Sequence, residues 1–265
     1  MLDLVFPENH RISIPVRHKS HIARSLKGLG IHAFEPVSQA VFLAAVERRD
    51  GAVVDVGANI GLFSMCIASA LGRDVAAFEP FEEAASALEE VAVTYGLPIR
   101  VTRAAVADRD GTASFYLSKK SDMSNSLDRE HRDHRGVREV PIVSIDSWDD
   151  AGQIAAVKID TERTEMDVLR GMTAIARRDR PAILVEILSD KDANDLACWK
   201  EDLGYRSVDL GSDEVYGRIL GPFTLPDLEG DMRNTLLVPS DFATDDAFFD
   251  RARFWVDEIR SCALR

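Results

Sequence analysis

A glycine-containing loop joins a short apolar run to a helix-forming segment, and this junction constrains the fold more than any other feature of the chain. The apolar run is Ala52–Val56, and the loop that follows begins at Gly57 and ends at Gly61. A short uninterrupted apolar run bounded by turn residues predicts a strand that is buried on both faces. In parallel α/β sheets, ligands bind beyond the carboxyl ends of such strands. The chain is therefore predicted to hold a ligand at this loop.

Strand-like and helix-like segments alternate along most of the chain. Apolar runs predict buried strands at residues 52–56, 75–78, 155–159 and 182–187, and a further strand near 99–106. Apolar spacing typical of helices predicts helices at residues 61–71, 81–95, 164–177 and 190–203. Glycines end three of these helices, at Gly72, Gly96 and Gly204. Such alternation predicts right-handed strand-helix-strand units, and hence an α/β fold with a parallel sheet covered by helices on both faces.

Further segments are predicted before and within this repeat. Alternating apolar residues around a Pro-Glu-Asn turn predict a hairpin over residues 2–16, and a helix is predicted at residues 37–48. Strand-like runs at residues 112–117 and 139–145 flank a polar segment, residues 118–138. We predict that this polar segment is a mobile lid.

The last part of the chain is predicted to complete the sheet and to add one helix. Residues 205–210 and 234–238 form an antiparallel strand pair, and residues 245–264 form an amphipathic helix. The apolar stripe of that helix favours core packing, with a homodimer contact as the alternative. We divide the chain into an accessory of residues 1–50, a core of residues 51–240 with a lid-like insertion at about 112–145, and a terminal helix within residues 241–265.

The composition limits the kinds of partner that the chain can bind and the cellular compartment in which we expect it. The formal net charge is −13, which argues against a nucleic-acid partner because neutralising phosphates requires clustered lysine and arginine. No apolar run is long enough to predict a membrane span. Cys66, Cys198 and Cys262 form no CxxC pair, so neither a disulfide framework nor a zinc site is predicted. The N-terminus lacks the pattern of a secretory signal, and we expect a cytoplasmic protein.

The residues of the glycine loop indicate how a ligand would be held. Gly57 and Gly61 are expected to allow the ligand and the start of the helix to approach closely, and Ala58 leaves further space. Asn59 places an amide between the glycines. Asp55, which ends the strand, is predicted to meet the ammonium group of an amino-acid moiety.

One strand later, Glu79 and Pro80 follow the apolar run at residues 75–78. This spacing from Asp55 suits one strand-helix-strand step, and a carboxylate there is placed to accept hydrogen bonds from two ribose hydroxyls. A dinucleotide-binding loop has a glycine where this chain has Asn59, so a ligand without a pyrophosphate fits better. Ala105 and Asp108, after the third strand, are the predicted contacts to an adenine.

Five motifs taken together carry a family resemblance. They are Val-Asp-Val-Gly-Ala-Asn-Ile-Gly at 54–61, Phe-Glu-Pro at 78–80, Val-Lys-Ile-Asp-Thr-Glu at 157–162, Leu-Val-Glu at 184–186 and Asn-Thr-Leu-Leu-Val-Pro at 234–239. In order and spacing, over about residues 35–240, the chain resembles the FkbM family of S-adenosylmethionine-dependent methyltransferases.

The resemblance implies a fold, a cofactor and a reaction. The fold is a Rossmann-like methyltransferase fold, with a mostly parallel seven-stranded sheet, an antiparallel last strand, helices on both faces, an N-terminal hairpin and a C-terminal helix. The cofactor is S-adenosyl-L-methionine. The implied reaction is O-methylation of a hydroxyl on a small-molecule or glycan acceptor, such as a sugar, a polyketide or a related natural product.

The chain departs from the family at one position of its third motif. Members usually continue with Glu-Gly after the Lys-Ile-Asp strand, whereas this chain has Glu162 and Arg163, and a further acid, Glu165, follows. Arg163 is expected either to change the acceptor pocket or, as the weaker alternative, to accompany an inactive site.

Methyl transfer to a hydroxyl requires alignment of the acceptor oxygen and removal of its proton. The candidate catalytic residues are the strand-tip carboxylates Asp160, Glu162 and Glu186, of which Asp160 and Glu162 are favoured. His131 and His134, in the predicted lid, are further candidates for the base. They have metal-ligand spacing but no evident third ligand, so no metal is predicted.

Two other functions are consistent with the same residues. One is an NAD-dependent oxidoreductase, since a glycine loop between a strand and a helix also binds nicotinamide dinucleotides. The other is a protein that binds S-adenosylmethionine without catalysis, which the arginine at position 163 motivates. Titration with both cofactors, and turnover on a panel of hydroxylated acceptors, distinguish the three functions.

Overall fold

The computed structural model describes residues 1–16, 20–148, 152–186, 190–209 and 234–262. The strands of these residues are β1 (Leu2–Phe6), β2 (His10–Ile14), β3 (Ala52–Val56), β4 (Val75–Phe78), β5 (Ile99–Thr102), β6 (Ala105–Val106), β7 (Gly111–Ser118), β8 (His134–Val143), β9 (Ile154–Ile159), β10 (Ala182–Glu186), β11 (Tyr205–Asp209) and β12 (Asn234–Pro239). The α-helices are α1 (His21–Leu26), α2 (Pro36–Glu47), α3 (Leu62–Leu71), α4 (Glu82–Tyr95), α5 (Glu165–Arg170), α6 (Thr173–Asp179), α7 (Asp190–Leu203) and α8 (Asp246–Ser261).

A seven-stranded sheet organises the chain, in the order β11-β12-β10-β9-β3-β4-β5. Five neighbouring strands, β10 to β5 in this order, run parallel, whereas β12 runs antiparallel to both β10 and β11. The strand order reverses between β3 and β9, so the loops after these two strands diverge and leave a crevice at their carboxyl ends. This arrangement confirms the predicted Rossmann-like methyltransferase fold with an antiparallel last strand.

Helices cover both faces of the sheet, because alternate residues of each buried strand point to opposite faces. Val53 on β3 packs in a core with α2, α3, α4 and α8, whereas its neighbour Val54 packs in a second core with α5, α6 and α7. The near-continuous apolar sequence of the central strands follows from this two-sided burial.

The predicted additions at both ends of the chain are also present. β1 and β2 form an antiparallel hairpin, as predicted. The apolar stripe of α8 is core packing: Phe248, Trp255 and Ile259 are buried, and α8 packs against α2. Searched over the residues that the structure describes, the helices include none with the length and hydrophobicity of a membrane span.

Two sequence predictions about element continuity are wrong. The single strand expected near 99–106 is two strands: after Thr102 the chain turns, and β6 pairs with β8 in a separate three-stranded sheet, β6-β8-β7. The single helix expected at 164–177 is broken at Gly171. A Cβ on Gly171 would lie 2.0 Å from the carbonyl oxygen of Ala107, and its own carbonyl accepts a hydrogen bond from Ser144 Oγ at 2.8 Å. Long-range packing of β6 and its neighbours therefore overrides the local helical pattern.

Several predicted element ends differ or fall outside the described residues. β8 begins at His134, so the last part of the predicted polar segment 118–138 is strand, and β7 supplies its first residue, Ser118. Ile187, Leu210 and residues 263–264, which the predicted elements included, lie outside the described residues. The proposed division into residues 1–50, 51–240 and 241–265 stays a prediction.

Candidate functional site

A cavity of about 1080 Å³, including the open space at its mouth, lies at the carboxyl ends of β3, β4 and β9. One side, which we call the loop wall, consists of residues 57–59 of the glycine loop with Glu79 and Pro80. A second group of lining residues, the carboxylate wall, consists of Glu35, Asp160, Glu162 and Glu186. Apolar side chains complete the lining, namely Ile22, Phe34, Leu62, Phe63, Val106, Phe115, Met123 and Leu127. The cavity is concave and combines an apolar lining with a few polar groups, as small-molecule sites do.

The glycines of the loop make room for protein atoms rather than for a ligand. Gly57 has φ +73°, and a Cβ there would lie 1.9 Å from the carbonyl oxygen of Asp160 on the neighbouring strand tip. Gly61 caps α3 with φ +85°, and a Cβ there would lie 2.2 Å from the Leu88 side chain on α4. Glycine is therefore required at both positions by packing. Gly61 does not line the cavity, which differs from the close approach to a ligand that the sequence led us to expect.

Glu79 and Asn59 bind each other across the loop wall. The backbone amide of Asn59 donates to Glu79 Oε2 at 2.7 Å, and the amide of Phe81 donates to Glu79 Oε1, also at 2.7 Å. Burial raises the pKa of Glu79 to about 7, although both hydrogen bonds act in the opposite direction. Asn59 has φ +50°, and its Oδ1 accepts from the amide of Ile60 at 2.8 Å. Each Glu79 oxygen keeps one lone pair for a further donor.

Asp55 lies behind the loop wall and does not line the cavity. Its side chain is fully buried, and its Oδ2 accepts a hydrogen bond from Ser64 Oγ at 2.6 Å. Its Oδ1 has no hydrogen bond among the described residues and faces Lys158 Nζ at 3.7 Å. The two residues meet because Asp55 on β3 and Lys158 on β9 are paired in register. The sequence predicted that Asp55 meets a ligand ammonium group directly or through water, and in this geometry Asp55 is separated from the cavity by the loop wall.

Lys158 connects the two walls. Its Nζ contacts Asp160 Oδ2 at 3.2 Å and donates to the carbonyl oxygen of Gly57 at 3.4 Å. Burial alone would lower the pKa of Lys158, but the carboxylates of Asp160, Asp55 and Glu35 together outweigh burial and raise it. The buried ammonium group is therefore charged and compensates the crowded carboxylates around it.

Like charges are concentrated on the carboxylate wall. Burial, with the nearby charges of Asp160, Glu35, Glu162 and Glu165, raises the pKa of Glu186 to about 9. Burial and the charge of Asp160 raise the pKa of Glu35 to about 7. Glu35 begins α2 with φ +44°, and its Oε2 accepts from Asn234 Nδ2 at 2.9 Å. At neutral pH this wall therefore carries protons that a bound cation would displace.

A strained turn presents Glu162 to the cavity. Glu162 has φ +58° and Arg163 has φ +83°, in the left-handed region that favours glycine. Glu165 Oε1 holds the turn, because it accepts from the amide of Arg163 at 2.9 Å and from the amide and hydroxyl of Thr161 at 3.3 and 3.2 Å. The position where the chain departs from the glycine of the family that it resembles is thus one where the backbone adopts a φ that favours glycine.

The segment predicted to be a lid packs directly on this turn. Ser126 Oγ donates to the carbonyl oxygen of Glu162 at 2.5 Å, and His131 Nε2 lies 2.9 Å from Glu162 Oε2. Burial and the charges of Arg132 and Arg163 lower the pKa of His131, so its ring is neutral near pH 7. A neutral ring that donates from Nε2 to Glu162 leaves Nδ1 as a buried acceptor, and Nδ1 has no partner among the described residues. Arg132 Nε lies 3.2 Å from the same Nε2 and donates to it in the tautomer that carries its proton on Nδ1, so the tautomer decides which of the two neighbours Nε2 bonds.

The two histidines of this segment are not arranged as a metal site. His134 packs its ring against Tyr116, with ring centroids 5.1 Å apart. In the parts of the chain that the structure describes, no three His, Cys, Asp or Glu side chains are grouped so as to hold a metal ion.

The structure brings most of the sequence-predicted residues to the cavity. Those that line it are Gly57, Ala58, Asn59, Glu79, Pro80, Ala105, Asp160, Glu162 and Glu186. Asp55, Gly61 and Asp108 do not line it, and the Asp108 carboxylate faces Arg109 at 2.8 Å instead. The sequence reasoning missed Glu35 and Lys158 as site residues. A signal for Glu35 was present, since a Glu-Pro pair directly before a helix resembles the Glu79-Pro80 pair.

The combination of groups suits a ligand with an apolar ring system, vicinal hydroxyls and a cationic end. Glu79 offers acceptors beside the apolar lining, and the carboxylate wall offers groups that attract a cation. An acceptor hydroxyl near Glu162 would lie beside a carboxylate whose orientation is fixed by His131. The site therefore has the parts for binding a cation and for removing a proton.

Comparison with known proteins identifies a family for the region that carries the cavity. The model of the methyltransferase FkbM domain matches residues 55–207, which is more than half of the chain. Among curated proteins, the AMB antimetabolite synthetase AmbE of Pseudomonas aeruginosa is 27% identical over 237 residues, covering 72% of this chain and 10% of that protein. The chain thus spans about a tenth of the length of this curated relative.

Solved structures with similar architecture include two methyltransferases. Methyltransferase FkbM from Methylobacillus flagellatus is 18% identical, with a TM-score of 0.45 over 59% of this chain and 38% of that one. An S-adenosylmethionine-dependent O-methyltransferase from Thermotoga maritima is 11% identical, with a TM-score of 0.45 over 79% of this chain and 67% of that one. Likeness at this level does not identify a substrate.

Proposed function

This chain belongs to the FkbM family of methyltransferases, and we propose that it transfers a methyl group from S-adenosyl-L-methionine to a hydroxyl of a sugar, polyketide or related small molecule. The observation that carries this proposal is the cavity between the loop wall and the carboxylate wall. It combines acceptors for a ribose, an apolar lining for an adenine and carboxylates for a cationic group.

The residues present fit this cofactor. Glu79, with a free lone pair on each oxygen, would hold the ribose hydroxyls, and Ala105 with Phe115 would border the adenine. The carboxylate wall would face the cationic end, with Asp55 acting through Lys158 and the Gly57 carbonyl rather than by direct contact. When bound, the cofactor supplies an electrophilic methyl group on a sulfonium.

Glu162 is the proposed general base for the acceptor hydroxyl. Asp160 is paired with Lys158, and Glu186 holds a proton at neutral pH because its pKa is about 9. Glu162 remains, with His131 orienting its carboxylate and Glu165 holding the turn beneath it. A fixed carboxylate within reach of the acceptor hydroxyl accepts its proton as the new C–O bond forms.

The name of the curated relative, an antimetabolite synthetase, supports a natural-product acceptor. We propose a soluble cytoplasmic enzyme that acts on small molecules rather than on nucleic acid. The alternatives of an NAD-dependent oxidoreductase and of a non-catalytic cofactor-binding protein make different predictions in the experiment below.

Calorimetric titration with S-adenosylmethionine, S-adenosylhomocysteine and NAD(H) tests the cofactor. We expect micromolar binding of the first two, no binding of NAD(H), and at least tenfold weaker binding in Glu79→Ala, because charged hydrogen bonds contribute about 1.5–3 kcal/mol each. Glu130→Ala, which removes an exposed carboxylate outside the cavity, is the matched control. Binding of NAD(H) alone would overturn the proposal. Release of S-adenosylhomocysteine with hydroxylated acceptors then separates the enzyme from a non-catalytic binder.

A further inference from the structure

A second concave surface lies beside the cavity. This basic groove, of about 1550 Å³ including open space, is bordered by α1, by the start of α4, by residues 117–122 and by the first half of β8. It meets the cavity at Asp122, which lines both. Helix α1 separates them elsewhere, since Ile22 lines the cavity and Arg24 lines the groove. A molecule seated in the groove therefore lies next to the cavity at the Asp122 edge.

The groove concentrates positive charge on a chain whose formal net charge is −13. Its cations are Arg24, Lys119, Lys120, Arg135 and Arg138. Two carboxylates also line it, and both are engaged: Glu83 accepts two hydrogen bonds from Arg138, at 2.9 and 3.0 Å, and Asp122 Oδ1 accepts from the backbone amide of His21 at 2.9 Å. A local excess of cations in a concave surface attracts anions and raises their local concentration.

Three of these cations have no partner among the residues that the structure describes. The side chains of Arg24, Lys120 and Arg135 are exposed and make no ion pair or hydrogen bond within the described parts of the chain. Lys119 has only a 3.9 Å contact with the exposed Asp133. Because none of the three unpartnered cations stabilises the fold through a contact, their grouping in one concave surface is better explained by a ligand than by folding.

Two hydroxyl groups complete the groove. Ser118 Oγ accepts from the amide of Lys120 at 3.1 Å, and Ser121 Oγ accepts from the amide of Met123 at 3.1 Å. Both hydroxyl hydrogens therefore remain available to donate. Oriented hydroxyls together with Lys and Arg are the donors that bind phosphate and carboxylate oxygens.

We propose that the basic groove binds a compact dianion, a phosphate monoester or a dicarboxylate, carried by the acceptor whose hydroxyl reaches the cavity. This proposal rests on the proposed methyltransferase function, and it narrows the acceptor to an anionic small molecule. The formal net charge of −13 favours a small anion over nucleic acid, whose binding requires many clustered lysines and arginines.

The test is calorimetric titration of the full chain at low ionic strength with pyrophosphate, malonate and a twelve-nucleotide single strand as probes. The groove variant combines Arg24→Ala, Lys120→Ala and Arg135→Ala. Its matched control combines Arg11→Ala, Lys27→Ala and Arg177→Ala, which removes three exposed cations that do not line the groove. Each variant loses three positive charges, so the two have the same net charge. A difference in binding between them therefore reports where the charge is located and not how much charge there is.

We expect pyrophosphate or malonate to bind the natural chain and the control equally, and the groove variant at least tenfold more weakly. Whichever of the two probes binds more tightly shows whether the anionic group of the acceptor is a phosphate or a carboxylate. The inference is overturned if neither anion binds the natural chain, if both variants weaken binding alike, or if the oligonucleotide binds more tightly than either anion. S-adenosylhomocysteine, titrated separately, reports the cofactor site: its failure to bind would refute the proposed function while leaving the anion result intact.

Discussion

The loop wall and the carboxylate wall line the same cavity, but their buried polar groups are compensated in different ways. On the loop wall, each Glu79 oxygen already accepts a backbone amide, and the Asn59 side chain is satisfied by the next residue. On the carboxylate wall, Glu35 and Asp160 share with the buried Asp55 the charge of one ammonium group, that of Lys158, and Glu186 lies among like charges. The first wall is preorganised by short-range hydrogen bonds, whereas the second holds repulsion that a bound cation would relieve.

This difference indicates that the two walls have different roles in binding and catalysis. A wall whose groups are fixed by the backbone positions a ligand at little cost on binding. A wall of crowded carboxylates changes its protonation when a cation arrives, and so couples cofactor binding to the state of the catalytic groups. Residues on the carboxylate wall are therefore expected to affect catalysis and pH dependence, and residues on the loop wall to affect affinity.

The largest expected effect is that of Glu162→Gln on turnover. Loss of a general base lowers kcat by about 10²–10⁴-fold, and the affinity for S-adenosylhomocysteine should change by less than threefold because Glu79 and the loop are intact. Single-turnover kinetics and calorimetry measure the two quantities. Glu130→Gln, in the same segment as His131 but outside the cavity, is the control. An equal loss of kcat and of affinity for S-adenosylhomocysteine would mean that catalysis and cofactor affinity do not depend on different walls.

The second largest expected effect is on stability and concerns Lys158, which contacts both walls. Lys158→Met leaves Asp55 and Asp160 without their counter-charge, and breaking a buried ion pair in this way costs about 3–5 kcal/mol of the free energy of unfolding. Chemical denaturation measures the change. Lys119→Met, at an exposed lysine with a 3.9 Å contact, should cost less than about 1 kcal/mol. If both variants lost the same amount, Lys158 would not be the link between the walls.

The loop wall and three residues of the carboxylate wall, Asp160, Glu162 and Glu186, were predictable from the sequence, whereas Glu35 and the position of Lys158 were not, for a physical reason. Gly57, Asn59 and Glu79 lie within one strand-helix-strand unit, and their roles follow from local spacing. Lys158 faces Asp55 only because β9 crosses over to pair with β3, and Glu35 reaches the site from the start of α2. The break at Gly171 and the separation of β6 from β5 have the same origin, since both arise from contacts between distant segments.

The two walls should also respond differently to pH, with Glu186 making the larger contribution. In the folded chain its carboxyl keeps its proton up to about pH 9, whereas in the unfolded chain it ionises above an ordinary value of 4.5. The folded state binds more protons across this window, so the free energy of unfolding falls as the pH rises from about 5 to 9. Glu35 and Glu79, with pKa values of about 7, add to the fall in the lower part of the window.

Glu186→Gln removes one titrating group and therefore flattens this dependence. Its Tm should match that of the natural chain at pH 5 and exceed it by several degrees at pH 9, as measured by scanning calorimetry across the range. Glu130→Gln should leave the profile unchanged. A natural-chain Tm that rises with pH between 5 and 9 would show that the carboxylate wall is not protonated as the geometry indicates.

The smallest expected effect tests the strained turn at Arg163. Glycine removes the cost of a side chain at φ +83°, about 1–2 kcal/mol, but it also increases the entropy of the unfolded chain. Arg163→Gly should therefore raise the free energy of unfolding by up to about 1 kcal/mol, which is about 2–4 °C in Tm. Arg163→Ala loses the same 3.9 Å contact with Asp128 but keeps the strain, so it should not stabilise the chain. If the two variants had equal free energies of unfolding, the effect of Arg163 on stability would come from its side chain and not from backbone strain. Measuring kcat for both variants would then show whether the Arg163 cation, rather than the backbone, orders Glu162 on the carboxylate wall.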